Sequence, residues 1–155
     1  MCAWVKVVDS FNGHSQAIIS SGNWNQADTL INFAIKKNGS SVKMLITASR
    51  GWDTGVDITD YFTFDEWHHV CMTWDGDKTN AYVDGVLCGS IQYGGMPSTY
   101  DVADVLIGGA TYTTPTFRFN GLMNDIRIYD HCLSPLEVKE ISKGLVLHYP
   151  LAMPG

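Results

Sequence analysis

The chain has 155 residues, a formal charge of −6 and a hydrophobic fraction of 45%, which suits one domain with its own core. No stretch approaches the roughly 20 apolar residues of a membrane helix, and no basic cluster exceeds Lys36-Lys37, which argues against nucleic-acid binding. Of the 16 acidic residues 13 are Asp. Because Asp favours turns whereas Glu suits helix interiors, this composition excludes a helical bundle and predicts a turn-rich β protein.

Short strand-like runs separated by turn residues recur along the chain. Strands are predicted at 3–8, 16–20, 30–36, 43–49, 67–74, 79–84, 86–93, 105–108, 117–119 and 122–129. Asp75-Gly76 and Asp84-Gly85 are predicted hairpin turns, since type I′ turns need positive φ at both central residues. A simple meander would place Val83 opposite Val86, Ala81 opposite Cys88 and Cys71 near Tyr82. This pattern predicts a sandwich or a barrel.

One helix is predicted from Pro135 to Lys143. Ser134-Pro-Leu-Glu137 is a capping box with Pro at the first helical position. Leu133 and Val138 occupy the two positions of a hydrophobic staple, and Gly144 ends the helix.

The cysteines Cys2, Cys71, Cys88 and Cys132 include no CxxC pair, so a zinc knuckle is not expected. A domain of this size with this many core residues does not need a disulfide framework. We therefore expect four free thiols that act as small buried hydrophobic side chains.

His68 and His69 are neighbours on a predicted strand, so they face opposite ways and cannot form a joint metal site. We expect one to be buried and hydrogen-bonded and the other to be partly exposed.

Two stretches carry a family resemblance. The first is 67–76 (WHHVCMTWDG), followed by 81–85 (AYVDG), and the second is 119–130 (FNGLMNDIRIYD), followed by Leu133-Ser134 and the helix. Together they resemble the laminin-G-like jelly rolls of the concanavalin A-like lectin/glucanase superfamily, of the kind found in phage tail and bacterial surface proteins. The resemblance implies an all-β, two-sheet antiparallel jelly-roll sandwich with one short helix near the C-terminus.

Members of this family usually begin with a strand of the form Leu-Val-Leu-His-Tyr-Pro-Leu, which occurs here only at residues 145–151. This segment either completes a sheet or opens a following domain. We expect residues 1–155 to form a single domain excised from a longer chain.

The resemblance also bears on catalysis. Hydrolases of this superfamily carry Glu-x-Asp-x-x-Glu on one strand, and a glycosidase needs two facing carboxylates. This chain has no such string: Glu66 stands beside Asp65, while Glu137 and Glu140 belong to the helix. The expectation is that the domain is not an enzyme.

Several aromatic residues lie in predicted loops, where such folds carry function. They are Trp24, Trp52, Tyr93, Tyr100 and Tyr112. Flat rings stack on the weakly apolar faces of sugars, so these are the candidate ligand-binding residues. The alternative is that a loop Trp folds back as a lid on the core.

Relatives often hold calcium at a loop rim, so the resemblance implies calcium as a candidate cofactor, although we expect that the domain requires none. The candidate ligands are Asp53 with Asp57 and Asp101 with Asp104. Turn formation explains each of these Asp residues equally well.

These observations favour a non-catalytic, lectin-like carbohydrate-binding module. Its expected partners are a polysaccharide or glycan and the other domains of a larger surface or phage structural protein, without nucleic acid or membrane insertion. The expected location is an extracellular surface or a virion, and the chain starts without a signal peptide pattern. The alternatives are a structural or protein-interaction domain without glycan binding and, third, a glycoside hydrolase.

Overall fold

The structure, a computed structural model, describes residues 1–11, 14–21, 31–48, 55–92, 105–109 and 117–144. Its elements in chain order are ten strands and one helix: β1 (Cys2–Val7), β2 (Gln16–Ser21), β3 (Ile31–Asn38), β4 (Ser41–Ala48), β5 (Gly55–Asp57), β6 (Trp67–Trp74), β7 (Lys78–Val83), β8 (Val86–Gln92), β9 (Val105–Ile107), β10 (Gly121–Arg127) and α1 (Pro135–Ile141). The predicted helix is present but ends two residues earlier than expected, at Ile141, and both predicted hairpins are present. The Asp75-Gly76 turn is not type I′, because Asp75 lacks a positive φ and three residues connect β6 to β7.

The strands form two antiparallel sheets. Sheet A has the order β10-β1-β6-β7-β8, and sheet B has the order β5-β4-β3-β2-β9. Strands that are distant in sequence lie side by side, such as β1 beside β10 and β2 beside β9. This arrangement is the two-sheet jelly-roll sandwich that the sequence predicted.

The main core lies between the inner faces of the sheets. Alternate residues of sheet A, such as Val5 and Val70, pack in one buried cluster with Phe33, Ile35 and Met44 of sheet B. The alternation means that the intervening residues face outward, which is where ligands can be met.

Helix α1 covers part of the outer face of sheet A. The Ser134 hydroxyl accepts a hydrogen bond from the Glu137 amide, and the Glu137 carboxylate accepts one from the Ser134 amide, so the predicted capping box is confirmed. Leu133 and Val138 are both buried and pack in one cluster with Tyr82. The staple therefore anchors the helix to the sheet.

The prediction of four free thiols is wrong. Cys2 of β1 and Cys71 of β6 are directly opposite each other and form a disulfide beneath α1. Cys88 and Cys132 are free. The spacing of the cysteines could not indicate this pair, because the first strand finds its partner 69 residues later through the sheet topology.

Three smaller differences concern the strands. Strand β5 was not predicted, since three residues are too few to show alternation, and residues 117–119 form no strand. Asp84 and Gly85 both have positive φ, as a type I′ turn requires, and Val83 lies opposite Val86 as predicted. Ala81, however, lies opposite Gly89, because Cys88 is the extra residue of a β-bulge.

Candidate functional site

The loop-bearing end of sheet B is the candidate site. Ser21 at the end of β2 lies opposite Ile31 at the start of β3 and Val105 at the start of β9, and Ile31 lies opposite Ala48 at the end of β4. Gly55, at the start of β5, lies nearby opposite Leu45. Four strand termini and the β5 entry therefore meet at one end of the sheet.

Three of the segments that carry predicted ligand residues join the described chain at this end. Segments 22–30 and 49–54 connect strands there, segment 93–104 enters β9 there, and segment 110–116 follows Gly109, whose carbonyl accepts a hydrogen bond from the Ser20 hydroxyl at 2.7 Å. The predicted residues themselves lie outside the described residues: Trp24, Trp52, Asp53, Tyr93, Tyr100, Asp101, Asp104 and Tyr112. Their roles stay predictions.

Sequence reasoning missed the polar side chain at the centre of this end. Asn32 of β3 lies opposite Ser20 and faces away from sheet A, on the same side as Ala17, Ala34 and Leu45. It is 0% exposed. Neither its amide nitrogen nor its amide oxygen has a hydrogen-bond partner within the described part of the chain.

Such an arrangement needs a partner from elsewhere. A buried amide without hydrogen bonds costs about 1–3 kcal/mol, and buried polar atoms in native proteins are nearly always paired with protein, water or ligand. The hydroxyl of Ser21, on the opposite side of β2, is also buried without a partner among the described residues. The importance of a strand Asn becomes visible only when its neighbours on the adjacent strands are known, so Asn32 could not be identified from the sequence.

Asp57 is the one calcium candidate that the structure describes. Its carboxylate accepts hydrogen bonds from the Ser41 hydroxyl at 3.0 Å and from the Thr59 amide and hydroxyl at 2.9 and 2.6 Å. The bonds from Thr59 and then Ser41 lower the pKa of Asp57. These contacts account for Asp57 as a turn residue, and no group of three His, Cys, Asp or Glu suited to a metal occurs in the ranges that the structure describes.

The titratable groups of sheet A form a separate constellation. The Nδ1 atom of His68 lies 2.7 Å from the Asp84 carboxylate, and its Nε2 atom lies 2.8 Å from the Thr63 hydroxyl. The Thr63 amide also donates to Nε2, and the Thr63 hydroxyl donates to Glu66. The order Thr, His, Asp resembles a catalytic triad.

The surroundings of Thr63, His68 and Asp84 favour a structural role, in which these side chains hold neighbouring segments together. We call this group the His68–Asp84 lock. The second Asp84 oxygen accepts the His69 amide at 2.8 Å, and the imidazole of His68 is buried against Phe62. Burial opposes ionisation of Asp84, but the hydrogen bonds from His68 and His69 outweigh it and lower its pKa. The network ties the β7–β8 turn to the 59–66 loop. The expected partial exposure of one histidine is wrong, since His69 is buried as well.

The comparisons with known proteins agree with the geometry. A laminin G-like family model, described as the concanavalin A-like lectin/glucanases superfamily, matches residues 1–139. The chain is 27% identical over 150 residues to the rat (Rattus norvegicus) protein "Sushi, von Willebrand factor type A, EGF and pentraxin domain-containing protein 1", in an alignment that covers 79% of this chain and 4% of that protein. The chain thus spans a small part of this curated relative.

Solved structures share the fold. A Ruminococcus gnavus sialidase CBM40 matches with a TM-score of 0.72 and 20% identity, over 91% of this chain and 80% of that one. A pentraxin of Limulus polyphemus matches with a TM-score of 0.70 and 17% identity, over 91% and 67%. Domain 4 of a Geobacillus stearothermophilus arabinanase, solved with arabinotriose, matches with a TM-score of 0.69 and 16% identity, over 91% and 64%.

Proposed function

Because the chain belongs to the concanavalin A-like lectin/glucanase superfamily, we propose that it is a non-catalytic carbohydrate-binding module that holds a glycan at the loop-bearing end of sheet B. The observation that carries the proposal is the buried amide of Asn32, which lacks a partner among the described residues. An amide donates and accepts, as a sugar hydroxyl does, so a hydroxyl group, directly or through one water, completes both bonds. Solved relatives in complex with sialyllactose and arabinotriose support this ligand class.

Binding without catalysis fits the chemistry of the three Glu residues and of Asp84. Glu66 accepts from Thr63, Glu137 caps α1, Glu140 pairs with Lys143, and Asp84 is held by His68. A glycosidase needs two carboxyl groups that face one bond. Each of these groups instead has a structural partner.

The proposed setting is an extracellular surface or a virion, within a larger protein. A disulfide such as Cys2–Cys71 persists in oxidising compartments and is rare in the cytosol. No helix within the described residues is long and apolar enough to cross a membrane. The curated relative, of which this chain spans 4%, is a multidomain protein by its name.

A glycan array that includes arabinan oligosaccharides and sialylated lactose tests the function, followed by calorimetry on the best ligand. Asn32→Leu should weaken binding at least tenfold, because Leu can pair with no hydroxyl. Asn80→Leu is the matched control: Asn80 is a strand asparagine of sheet A whose amide already bonds Thr73 and Ser90. It should leave binding unchanged.

The proposal fails if the array retains no glycan, or if Asn32→Leu binds as tightly as the wild type. The double variant Trp24→Ala with Trp52→Ala tests the predicted aromatic contacts at the same end. Loss of glycan binding at an unchanged melting temperature would show that these two indole rings contact the ligand. Unchanged binding would show that they do not.

A further inference from the structure

A second surface, on the opposite face of the sandwich, has the features of a binding site. On the outer face of sheet A, Lys6 of β1 lies between Trp67 of β6 and Leu122 of β10. Helix α1 covers a neighbouring part of this face, around Cys2 and Tyr82. We call the outward-facing positions of β1, β6 and β10 beside it the Trp67 face: Trp4, Lys6, Trp67, His69, Leu122 and Asn124.

The Trp67 face offers an aromatic platform. Trp67 is 44% exposed and Leu122 is 57% exposed, although both are large apolar side chains. Cross-strand neighbours have their Cβ atoms about 5 Å apart, so both lie next to the aliphatic stem of Lys6. A flat indole of this kind can stack against the C–H face of a sugar ring.

Lys6 supplies an uncompensated positive charge. Of the other described cations on this side of the sandwich, Arg127 pairs with Asp125 and Lys143 pairs with Glu140, whereas Lys78 and Lys139 form no ion pair among the described residues. No carboxylate pairs with Lys6 in the described part of the chain. Asp65 and Glu66 precede Trp67, the residue opposite Lys6, and the Glu66 carboxylate already accepts a hydrogen bond from the Thr63 hydroxyl.

A buried polar atom lies beside this cation. His69 of β6 lies opposite Trp4 of β1 and is 3% exposed. Its ring packs edge-on against Trp4, with 5.5 Å between the ring centroids. Its Nδ1 atom has no hydrogen-bond partner among the described residues. Burial lowers the pKa of His69 to about 4. The ring is therefore neutral at pH 7, and Nδ1 is unpaired within the described part of the chain.

We propose that the Trp67 face binds an acidic sugar, with the pyranose ring on the indole of Trp67 and its carboxylate at the ammonium group of Lys6. The inference rests on the proposed function, since it takes the domain to be a glycan binder. The Trp67 face would be a second glycan contact, on sheet A rather than on sheet B where Asn32 lies. It would give the domain a preference for sugars that carry a carboxylate. A module with both contacts can bridge two glycan chains or two parts of one chain.

Heteronuclear NMR of the ¹⁵N-labelled protein tests this proposal. The probes are an oligogalacturonate and the same oligosaccharide with its carboxyl groups reduced to alcohols. The acidic probe should shift the indole N–H of Trp67 and the amides around Lys6, and the reduced probe should bind at least tenfold more weakly. Lys6→Gln should weaken binding of the acidic probe about tenfold, the effect of one charge-assisted hydrogen bond.

Trp67→Ala should abolish the shifts, and Trp67→Phe, which keeps an aromatic ring, should restore part of them. Leu136→Ala is the control, because Leu136 is an exposed apolar residue of α1 that lies outside the Trp67 face. Asn32→Leu should leave the shifts at Trp67 unchanged.

The proposal is overturned if neither probe shifts the Trp67 indole, or if both probes bind with equal affinity. Shifts confined to the residues around Ser20 and Asn32 would reject the Trp67 face and keep the proposed function. Absence of binding to the array and to both probes would reject both.

Discussion

The β6–β7–β8 meander of sheet A and the β2–β3 pair of sheet B both contain a strand asparagine, but the two side chains differ in their surroundings. Asn80 of β7 donates to Thr73 and accepts from Ser90 in a continuous cross-strand row. Asn32 of β3 is more deeply buried and has no partner among the described residues. Polar side chains that hydrogen-bond to one another stabilise a sheet, whereas a buried amide without hydrogen bonds implies that a partner is missing.

The comparison suggests that the centre of sheet A is a scaffold and the end of sheet B is adapted to a ligand. The centre of sheet A has the disulfide, the His68–Asp84 lock and α1. Breaking these features should lower stability without changing glycan specificity. A change at Asn32 should instead weaken glycan binding without lowering the stability of the domain.

The largest effect is expected from the disulfide. Cys2→Ala with Cys71→Ala removes a crosslink between residues separated by 69 positions, which should lower the free energy of unfolding by about 4 kcal/mol. Urea denaturation measures the change. Cys88→Ala, which removes a free thiol, is the control and should cost much less. An unchanged denaturation midpoint in the double variant would show that the disulfide does not contribute to the stability of the scaffold.

The next effect is a pH dependence from His69. Burial lowers the pKa of His69 in the folded state to about 4, against 6.5 for an imidazole exposed to water. A base with a depressed pKa resists protonation in the folded state. Its contribution is therefore complete above pH 6.5 and is lost as the pH falls from 6.5 to 4, by roughly 3 kcal/mol.

Denaturation at a series of pH values measures this loss, and His69→Phe keeps the aromatic contact with Trp4 while removing the titration. The curve for His69→Phe should be flatter between pH 6.5 and 4 than that of the wild type. His131→Gln, at an exposed position beside Asp130, should change the curve much less than His69→Phe does. Parallel curves for the wild type and His69→Phe would contradict the burial of a neutral imidazole.

A smaller effect is expected from Asp84→Asn. Asn tolerates the positive φ of 50° at this position, so the substitution mainly removes the charge that His68 and the His69 amide meet. Stability at pH 7 should fall by about 1.5 kcal/mol in thermal or urea unfolding. Glycan binding at 25 °C should not change. A loss of binding with intact stability would show that the Thr63–His68–Asp84 group is more than a lock.

The local features of the fold were accessible from the sequence. Strand β6 begins and ends where its apolar pattern does, the Ser134–Glu137 box caps the helix, and Asp84-Gly85 forms the turn that its positive φ values require. The features that were missed depend on partners distant in sequence. Cys2 pairs with Cys71, His69 is buried beside Trp4, and Asn32 has no hydrogen-bond partner among the described residues.

The smallest effect concerns the stability of the two asparagine variants and tests the opening comparison without any ligand. Asn80→Leu breaks two satisfied hydrogen bonds, so it should lower the free energy of unfolding by about 1 kcal/mol. Asn32→Leu removes a buried amide that has no described partner, so it should raise that free energy by about 1 kcal/mol. Urea denaturation of the ligand-free protein measures both. If Asn32→Leu instead destabilises the domain as Asn80→Leu does, the Asn32 amide is satisfied within the protein, and a glycan hydroxyl is not needed to explain it.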